Sequence, residues 1–458
     1  MKRIIFFFLF IPLLSHSQTL KRIGGIGALF TTVNDSVANA NGMASKKGLL
    51  ITQILPGETA EAIGLKKGDI VFNINGVDVN TPFGIYSNHS ITRRTGDEVV
   101  YKIVSDKKEM TIKGIALTKP YEKSDEYDIF YDQFPFRNGL IRAIVSKPKD
   151  MGSKKPAILI IQGYPCQSVD LVPAFNTYKQ IEKFFVKKGF IVMRAEKPGM
   201  GDNLNTPPCN EIDFNTEVEA FRGAYIKMRS LPDADTSNLF IFGHSMGGMV
   251  APFIASELKP KGVIVYGVTI KTWYEYLLDL LRYQNPSMGG DYKTLDSEML
   301  SHAEMLYQIM LKNKMPSELI KETSEYKELL EKSYNYSGGE QLWTRHARFW
   351  QTLNKAAIAA EWTKVNSYVL SAYGEYDIQS INDFSHKELA KIVNTYSPGK
   401  ATYIMFPATE HSFVELENEQ DKFDMYTKPG MIQKILQKGV NQKAMEQIYE
   451  WMNVLIGR

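Results

Sequence analysis

The stretch Leu239-Phe240-Ile241-Phe242-Gly243-His244-Ser245-Met246-Gly247-Gly248-Met249-Val250-Ala251 decides how this chain is read. An apolar run of strand-forming residues stops at a glycine. A serine follows, framed as Gly243-x-Ser245-x-Gly247, and small and apolar residues then continue at helical spacing. That order predicts a strand, a sharp turn and a helix, the setting that lifts a serine hydroxyl above a sheet edge. Glycines flank the serine because side chains there would collide with the neighbouring strand and helix. The free N–H groups at the helix start can then receive a developing oxyanion. Three fixed letters in five are a weak signal alone, so the rest of the chain must supply the partners.

A serine hydroxyl needs a base to take its proton, and the base needs an acid to orient it. Tyr373-Gly374-Glu375-Tyr376-Asp377 directly follows the apolar run Tyr368 to Ala372. Pro407-Ala408-Thr409-Glu410-His411-Ser412-Phe413 directly follows the run Ala401 to Phe406. Of the seven histidines, His16 and His89 lie in the N-terminal part and His302, His346 and His386 in helical stretches. His244 adjoins the serine but faces the wrong way. His411 alone sits in a loop after a strand, downstream of an acid.

From Tyr127 onward, apolar runs such as Ala157 to Ile161, Phe190 to Arg194 and Gly262 to Val268 alternate with helical stretches, which predicts an α/β sheet. Residues 127–458 resemble the α/β-hydrolase family, and Gly243-His244-Ser245-Met246-Gly247-Gly248 is close to the pattern of its esterase and peptidase members. The resemblance implies acyl-enzyme chemistry on esters, amides or thioesters. Ser245 is then the nucleophile, His411 the base, and Asp377 the acid, three residues past Gly374 where such hydrolases place it. It further implies two oxyanion donors. One is the Met246 N–H; the other comes from the loop Gln162-Gly163-Tyr164-Pro165, where the family commonly carries His-Gly. Gln162 departs from that pattern, Gly163 keeps the close backbone approach, and the Tyr164 N–H becomes the second donor, with its phenol as the alternative. A largely helical insertion at about 271–362, dense in Trp, Tyr, Leu and Met, reads as a cap over the site. Cys166 and Cys209 follow the third and fourth strands, neighbours in this fold, so the resemblance implies a disulfide between them. Two cysteines without a histidine cluster lack the ligands for a metal, and no cofactor is expected.

The N-terminal part, residues 21–118, is β-rich and punctuated by Pro56-Gly57, Ala60, Ala62, Gly64-Leu65, Gly68-Asp69 and Asn75-Gly76. This pattern resembles a PDZ domain. The resemblance implies a groove that takes an extended peptide or a protein C-terminus as an added strand. Gly27-Ala28-Leu29-Phe30 is the nearest candidate for its carboxylate-binding loop. The polar segment Lys119 to Lys123 reads as a linker, so deleting the module is expected to leave small-ester hydrolysis intact.

Composition bounds the rest. The 458 residues are 44% apolar and 23% charged, and 54 basic against 51 acidic residues leave a net charge of +3, too balanced to argue for nucleic acid. Lys2 and Arg3, the apolar run Ile4 to Leu14 and the small residues at Ser15 to Ser17 predict a signal peptide over 1–17, with export to the periplasm or beyond. That run is too short to span a bilayer, and no later stretch approaches the length of a membrane span. The expected architecture is a mostly parallel α/β-hydrolase sheet with a helical cap, preceded by a small PDZ-like domain. The expected function is an exported serine hydrolase acting on a small-molecule carboxylic ester. A serine peptidase or acyltransferase would use the same constellation, and a non-catalytic binding protein on a hydrolase scaffold is the alternative of another class.

Overall fold

The computed structural model describes residues 20–80 and 93–457. The predicted signal peptide, with His16, and the segment holding His89 lie outside the described residues.

The first sheet is antiparallel and is built from β1 (Ala28–Thr32), β2 (Leu49–Ile54), β3 (Ile70–Ile74), β4 (Val77–Asp78), β5 (Glu98–Ser105) and β6 (Lys108–Ile115). Its order is β1-β2-β3-β5-β6, with β4 paired to β3. Asn75 and Gly76 both take positive φ (52° and 90°), as a tight turn matched to the twist of the strands requires. All five residues of Ile70 to Ile74 are buried, so β3 has no wet face. Val71 and Ile74 enter one apolar cluster, while Ile70 and Phe72 enter a second with Val33, Ala38 and Val104. The predicted carboxylate-binding segment Gly27 to Phe30 runs into the edge strand β1. Only Gly27 precedes the strand; Ala28, Leu29 and Phe30 belong to β1 and pair with Ile54, Gln53 and Ile51.

The second sheet begins with the long hairpin β7 (Tyr127–Phe136) and β8 (Gly139–Pro148), then β9 (Lys155–Ile161), β10 (Ile191–Ala195), β11 (Ala234–His244) and β12 (Gly262–Tyr266). The chain next leaves the sheet for helices between Trp273 and Trp362, interrupted by the short pair β13 (Gln341–Leu342) and β14 (Arg345–His346). It returns as β15 (Tyr368–Gly374) and β16 (Ala401–Phe406). The order is β16-β15-β12-β11-β9-β10-β8-β7, with β9 to β12, β15 and β16 parallel and β7 and β8 antiparallel at one edge. Ile158 to Ile161 are at most 1% exposed, as a strand covered on both faces demands. Helices Thr177–Lys187 and Gln442–Ile456 cover one face with Phe185, Ile448 and Met452. Helices Phe214–Arg229 and Met246–Leu258 cover the other, in a cluster that continues into the insertion through Met305, Phe349, Trp350 and Trp362.

The two sheets are joined by more than a linker. Glu122, in the polar segment, is buried and pairs with Arg194 at 2.8 Å and Lys179 at 2.5 Å. Arg22 is buried against Asp170 and Asp202 of the second unit. Composition marks the segment as polar, but its partners lie far away in sequence and leave no local sign.

Cys166 and Cys209 form a disulfide that closes a separation of 43 residues. It ties the loop after β9 to the loop after β10, both at the carboxyl edge of the sheet. Opening it with Cys166→Ala/Cys209→Ala is expected to cost about 4 kcal/mol by loop-closure entropy, read as a fall in the denaturant midpoint.

Candidate active site

Ser245 sits at the hinge between β11 and helix Met246–Leu258, with φ 53° and ψ −125°, a backbone that few side chains adopt without strain. Its N–H donates to the Tyr266 carbonyl at 2.8 Å, which fixes the turn to β12. The surroundings leave no room for alternatives. A Cβ on Gly243 would lie 2.7 Å from the Gly247 carbonyl oxygen, and one on Gly247 would run into the Ile161 carbonyl. These close approaches are why glycines frame the serine.

His411, in the loop after β16, reaches Asp377, in the loop after β15, with Nδ1 2.9 Å and 3.0 Å from its two carboxylate oxygens. Asp377 is 1% exposed and also accepts from the Gln379 and Ser380 amides and the Ser380 hydroxyl, at 2.7–2.9 Å. Burial works against its charge, but His411 and the Ser380 groups outweigh it and hold the carboxyl down at about 2. For His411, burial opposes the cation, yet Asp377, helped by Glu410, raises it above the ordinary imidazole range. Gly267, at φ 70°, leaves the space the pair occupies: a Cβ there would be 2.8 Å from His411 Cε1. The neighbouring acids are engaged elsewhere, Glu375 with the Ala408 amide and Asp383 with Lys387 and Tyr403.

Ser245 and His411 line one cavity of about 540 Å³. Its walls from the insertion are aromatic: Trp273 and Trp350 stack with rings 5.1 Å apart, and Tyr276 and Trp343 continue the surface. Met246 and Tyr164 line the same cavity. Among the described residues neither of their backbone N–H groups has a hydrogen-bond acceptor. A Cβ on Gly163 would stand 3.7 Å from Ser245 Oγ, so this loop passes directly over the hydroxyl. Among the described residues no cluster of His, Cys, Asp and Glu has the number needed to hold a metal.

Several polar residues at the site carry no sequence signal. The Gly163 N–H donates to the Tyr178 hydroxyl at 2.7 Å; that hydroxyl meets His244 Nδ1 at 2.8 Å, and His244 Nε2 meets the His411 carbonyl oxygen at 2.8 Å. Burial, with His411 nearby, lowers His244 to about 3, so the ring is neutral. Its Nε2–H then donates, Nδ1 accepts, and every bond in the chain has one direction. Bonded to the Tyr178 hydroxyl and the His411 carbonyl, His244 braces the loop carrying His411. Tyr178→Phe strips the Gly163 N–H and His244 Nδ1 of their partner. It is expected to cost about 2 kcal/mol, measured by denaturant unfolding. Behind the loop lie Lys197, Glu217 and Arg345, all fully buried. Lys197 stands two residues past β10, just before Pro198-Gly199, and no local pattern marks it or its partners.

A family model described as PDZ domain matches residues 21–82. Among curated proteins, esterase EstD of Thermotoga maritima is 26% identical over 164 residues, 35% of this chain and 37% of EstD. A probable periplasmic serine endoprotease DegP-like of Marinomonas sp. is 30% identical over 130 residues, 28% of this chain and 26% of that protein. The chain thus spans roughly a third and a quarter of these relatives. Among solved structures, Est1E of Butyrivibrio proteoclasticus with ferulic acid bound is 12% identical, with a TM-score of 0.45, covering 71% of this chain and 100% of that one. The match to the PDZ domain model thus falls on residues 21–82, ahead of a mostly parallel α/β sheet with helices on both faces.

Proposed function

We propose that the protein is an exported serine hydrolase that cleaves carboxylic esters with a bulky, apolar acyl group. The observation that carries this reading is the shared cavity: Ser245 on its strained turn and His411, hydrogen-bonded to Asp377 behind it, open onto one aromatic-walled space. In the reaction, Ser245 Oγ attacks the ester carbonyl while His411 Nε2 takes its proton. The tetrahedral intermediate places its oxyanion at the Met246 and Tyr164 amides. His411 then gives the proton to the departing alkoxide, and water repeats the sequence on the acyl-enzyme. The disulfide fits an oxidising compartment. Among the described residues no helix is long and apolar enough to cross a membrane.

The acyl preference follows from the walls. Trp273, Trp343, Trp350 and Tyr276 offer flat apolar surface, on which an aryl-alkanoyl chain buries far more area than an acetyl group. With p-nitrophenyl esters, kcat/KM for a 3-phenylpropanoyl ester is expected to exceed that for acetate by about 10²-fold. A burst of p-nitrophenol equal to the enzyme concentration should precede steady turnover. Equal kcat/KM for the two esters would contradict the acyl assignment, and ester turnover independent of Ser245 would contradict the reaction.

A further inference from the structure

The loop over Ser245 is held from behind by a buried charge cluster. Lys197, two residues past β10, donates from Nζ to the Gly163 carbonyl at 2.5 Å and pairs with Glu217 at 2.8 Å. Arg345, on β14 of the insertion, donates from Nε to the Tyr164 carbonyl at 2.8 Å and pairs through Nη1 with the other oxygen of Glu217 at 2.7 Å. All three side chains are 0% exposed, and Lys197 and Arg345 share one carboxylate; burial, with Arg345 nearby, outweighs Glu217 and lowers Lys197 to about 7. Such an arrangement is a poor device for stability, because the desolvation of buried charges cancels most of their attraction. Here the N–H donors left over from Glu217 are directed at two consecutive backbone carbonyls of a single loop.

We propose that Lys197 and Arg345 are positioning residues for the oxyanion loop, holding the Gly163 and Tyr164 carbonyls out of the cavity so that the Tyr164 N–H faces the oxygen of a bound acyl group. The proposal rests on the serine-hydrolase reading. In a trans peptide the C=O and the following N–H point in opposite directions, and no described peptide bond is cis. Anchoring the Gly163 oxygen on Lys197 therefore directs the Tyr164 N–H away from the cluster. Glycine at 163 lets this peptide plane rotate at little cost. Rotated by half a turn, it would present a carbonyl oxygen to the developing oxyanion in place of a donor. The next peptide offers no substitute, since Pro165 has no N–H. The Gly163 N–H is no substitute either, being committed to Tyr178. Arg345 comes from the insertion, and the neighbouring His346 N–H donates to the Asn210 carbonyl, next to Cys209, at 2.7 Å. The seating of the cap thereby becomes a condition for a formed oxyanion hole.

The test uses Lys197→Met and Arg345→Lys in the full chain, with a p-nitrophenyl ester as substrate and a trifluoromethyl ketone as the oxyanion-forming inhibitor. Both variants are expected to lose about 10²-fold in kcat, with KM within about threefold of wild type. Affinity for the ketone should fall by the same factor as kcat/KM, which a merely structural role would not produce. Arg345→Lys keeps a cation beside Glu217 while losing the guanidinium fork on the Tyr164 carbonyl, so it carries the test if Lys197→Met does not fold. Wild-type turnover and ketone affinity in folded variants would overturn the proposal, as would a loss confined to KM. Failure of the underlying reading is separately visible: wild-type protein would then form no ketone adduct, and Ser245→Ala would turn over esters unchanged.

Discussion

Ser245→Ala and His411→Ala are each expected to lower kcat for an ester by about 10⁶-fold, and the double variant by little more. The two side chains act as one unit, so removing either removes the activated alkoxide and the second loss has nothing left to take. Asp377→Asn should cost about 10⁴-fold, because the amide can present a donor to His411 Nδ1 and favour the wrong tautomer. The pH profile supplies the sign. Catalysis needs neutral His411, and Asp377 holds its pKa above the ordinary value of about 6.5. Wild-type kcat/KM should therefore rise with pH along a limb centred above that value. In Asp377→Asn the carboxylate's pull is gone and burial, which disfavours the cation, is left to act, so the limb moves to lower pH. The linkage to stability runs in the same terms. The raised His411 stabilises the fold most below its unfolded pKa and less as pH climbs through the folded one. The depressed Asp377 stabilises above its unfolded pKa and ceases to as pH falls toward about 2. A limb that stays in place when Asp377 is neutralised would separate the carboxylate from the base.

Arg22→Ala is expected to destabilise the protein by about 3 kcal/mol, read as a lower denaturant midpoint and a lower Tm. Arg22 Nη1 lies 2.7 Å from Asp170 and 2.8 Å from Asp202, and the guanidinium packs 4.7 Å and 4.6 Å from the ring centres of Tyr121 and Tyr131. Burial alone would lower its pKa, but the two carboxylates outweigh this and raise it. The adjacent Ile23 N–H donates to Asp202 at 2.9 Å, and Arg94 donates to the Asp202 carbonyl at 2.5 Å. Arg142 and Lys119 also reach these carboxylates, which keeps the expected loss at the lower end for a broken buried pair. By contrast, Arg137→Ala, whose partner Glu219 is about half exposed, should cost under about 1 kcal/mol. The N-terminal unit is therefore expected to be more than a detachable appendage. A chain beginning at Tyr121 would leave Asp170 and Asp202 without Arg22, Arg94 and Lys119, and is expected to be poorly folded where the sequence predicts an independent esterase. A truncated protein with wild-type melting and turnover would restore the simpler view.

The contrast between what was legible and what was not has a physical basis. The strand–turn–helix at Ser245 is local: three glycines and an apolar run record the steric demand in consecutive letters. Asp377 and His411 were legible because each follows an apolar strand directly, and the sheet brings strand ends to one edge. The pairing of Cys166 with Cys209 depended on the adjacency of β9 and β10, which the fold resemblance supplied. Nothing local marks Glu217 as the partner of Lys197 and Arg345, nor Arg22 as the partner of Asp170, 148 residues away. Such pairs exist only once the fold has closed around them. Tyr178 and His244 read as helix and turn residues, and only their hydrogen-bond directions reveal the brace across the site.

Mass analysis of the intact chain after exposure to a fluorophosphonate, followed by peptide mapping, tests the central claim most directly. The account predicts one phosphonyl group per chain, carried by Ser245, and none in Ser245→Ala. A group on a different residue, or an unlabelled chain that still turns over esters, would contradict it.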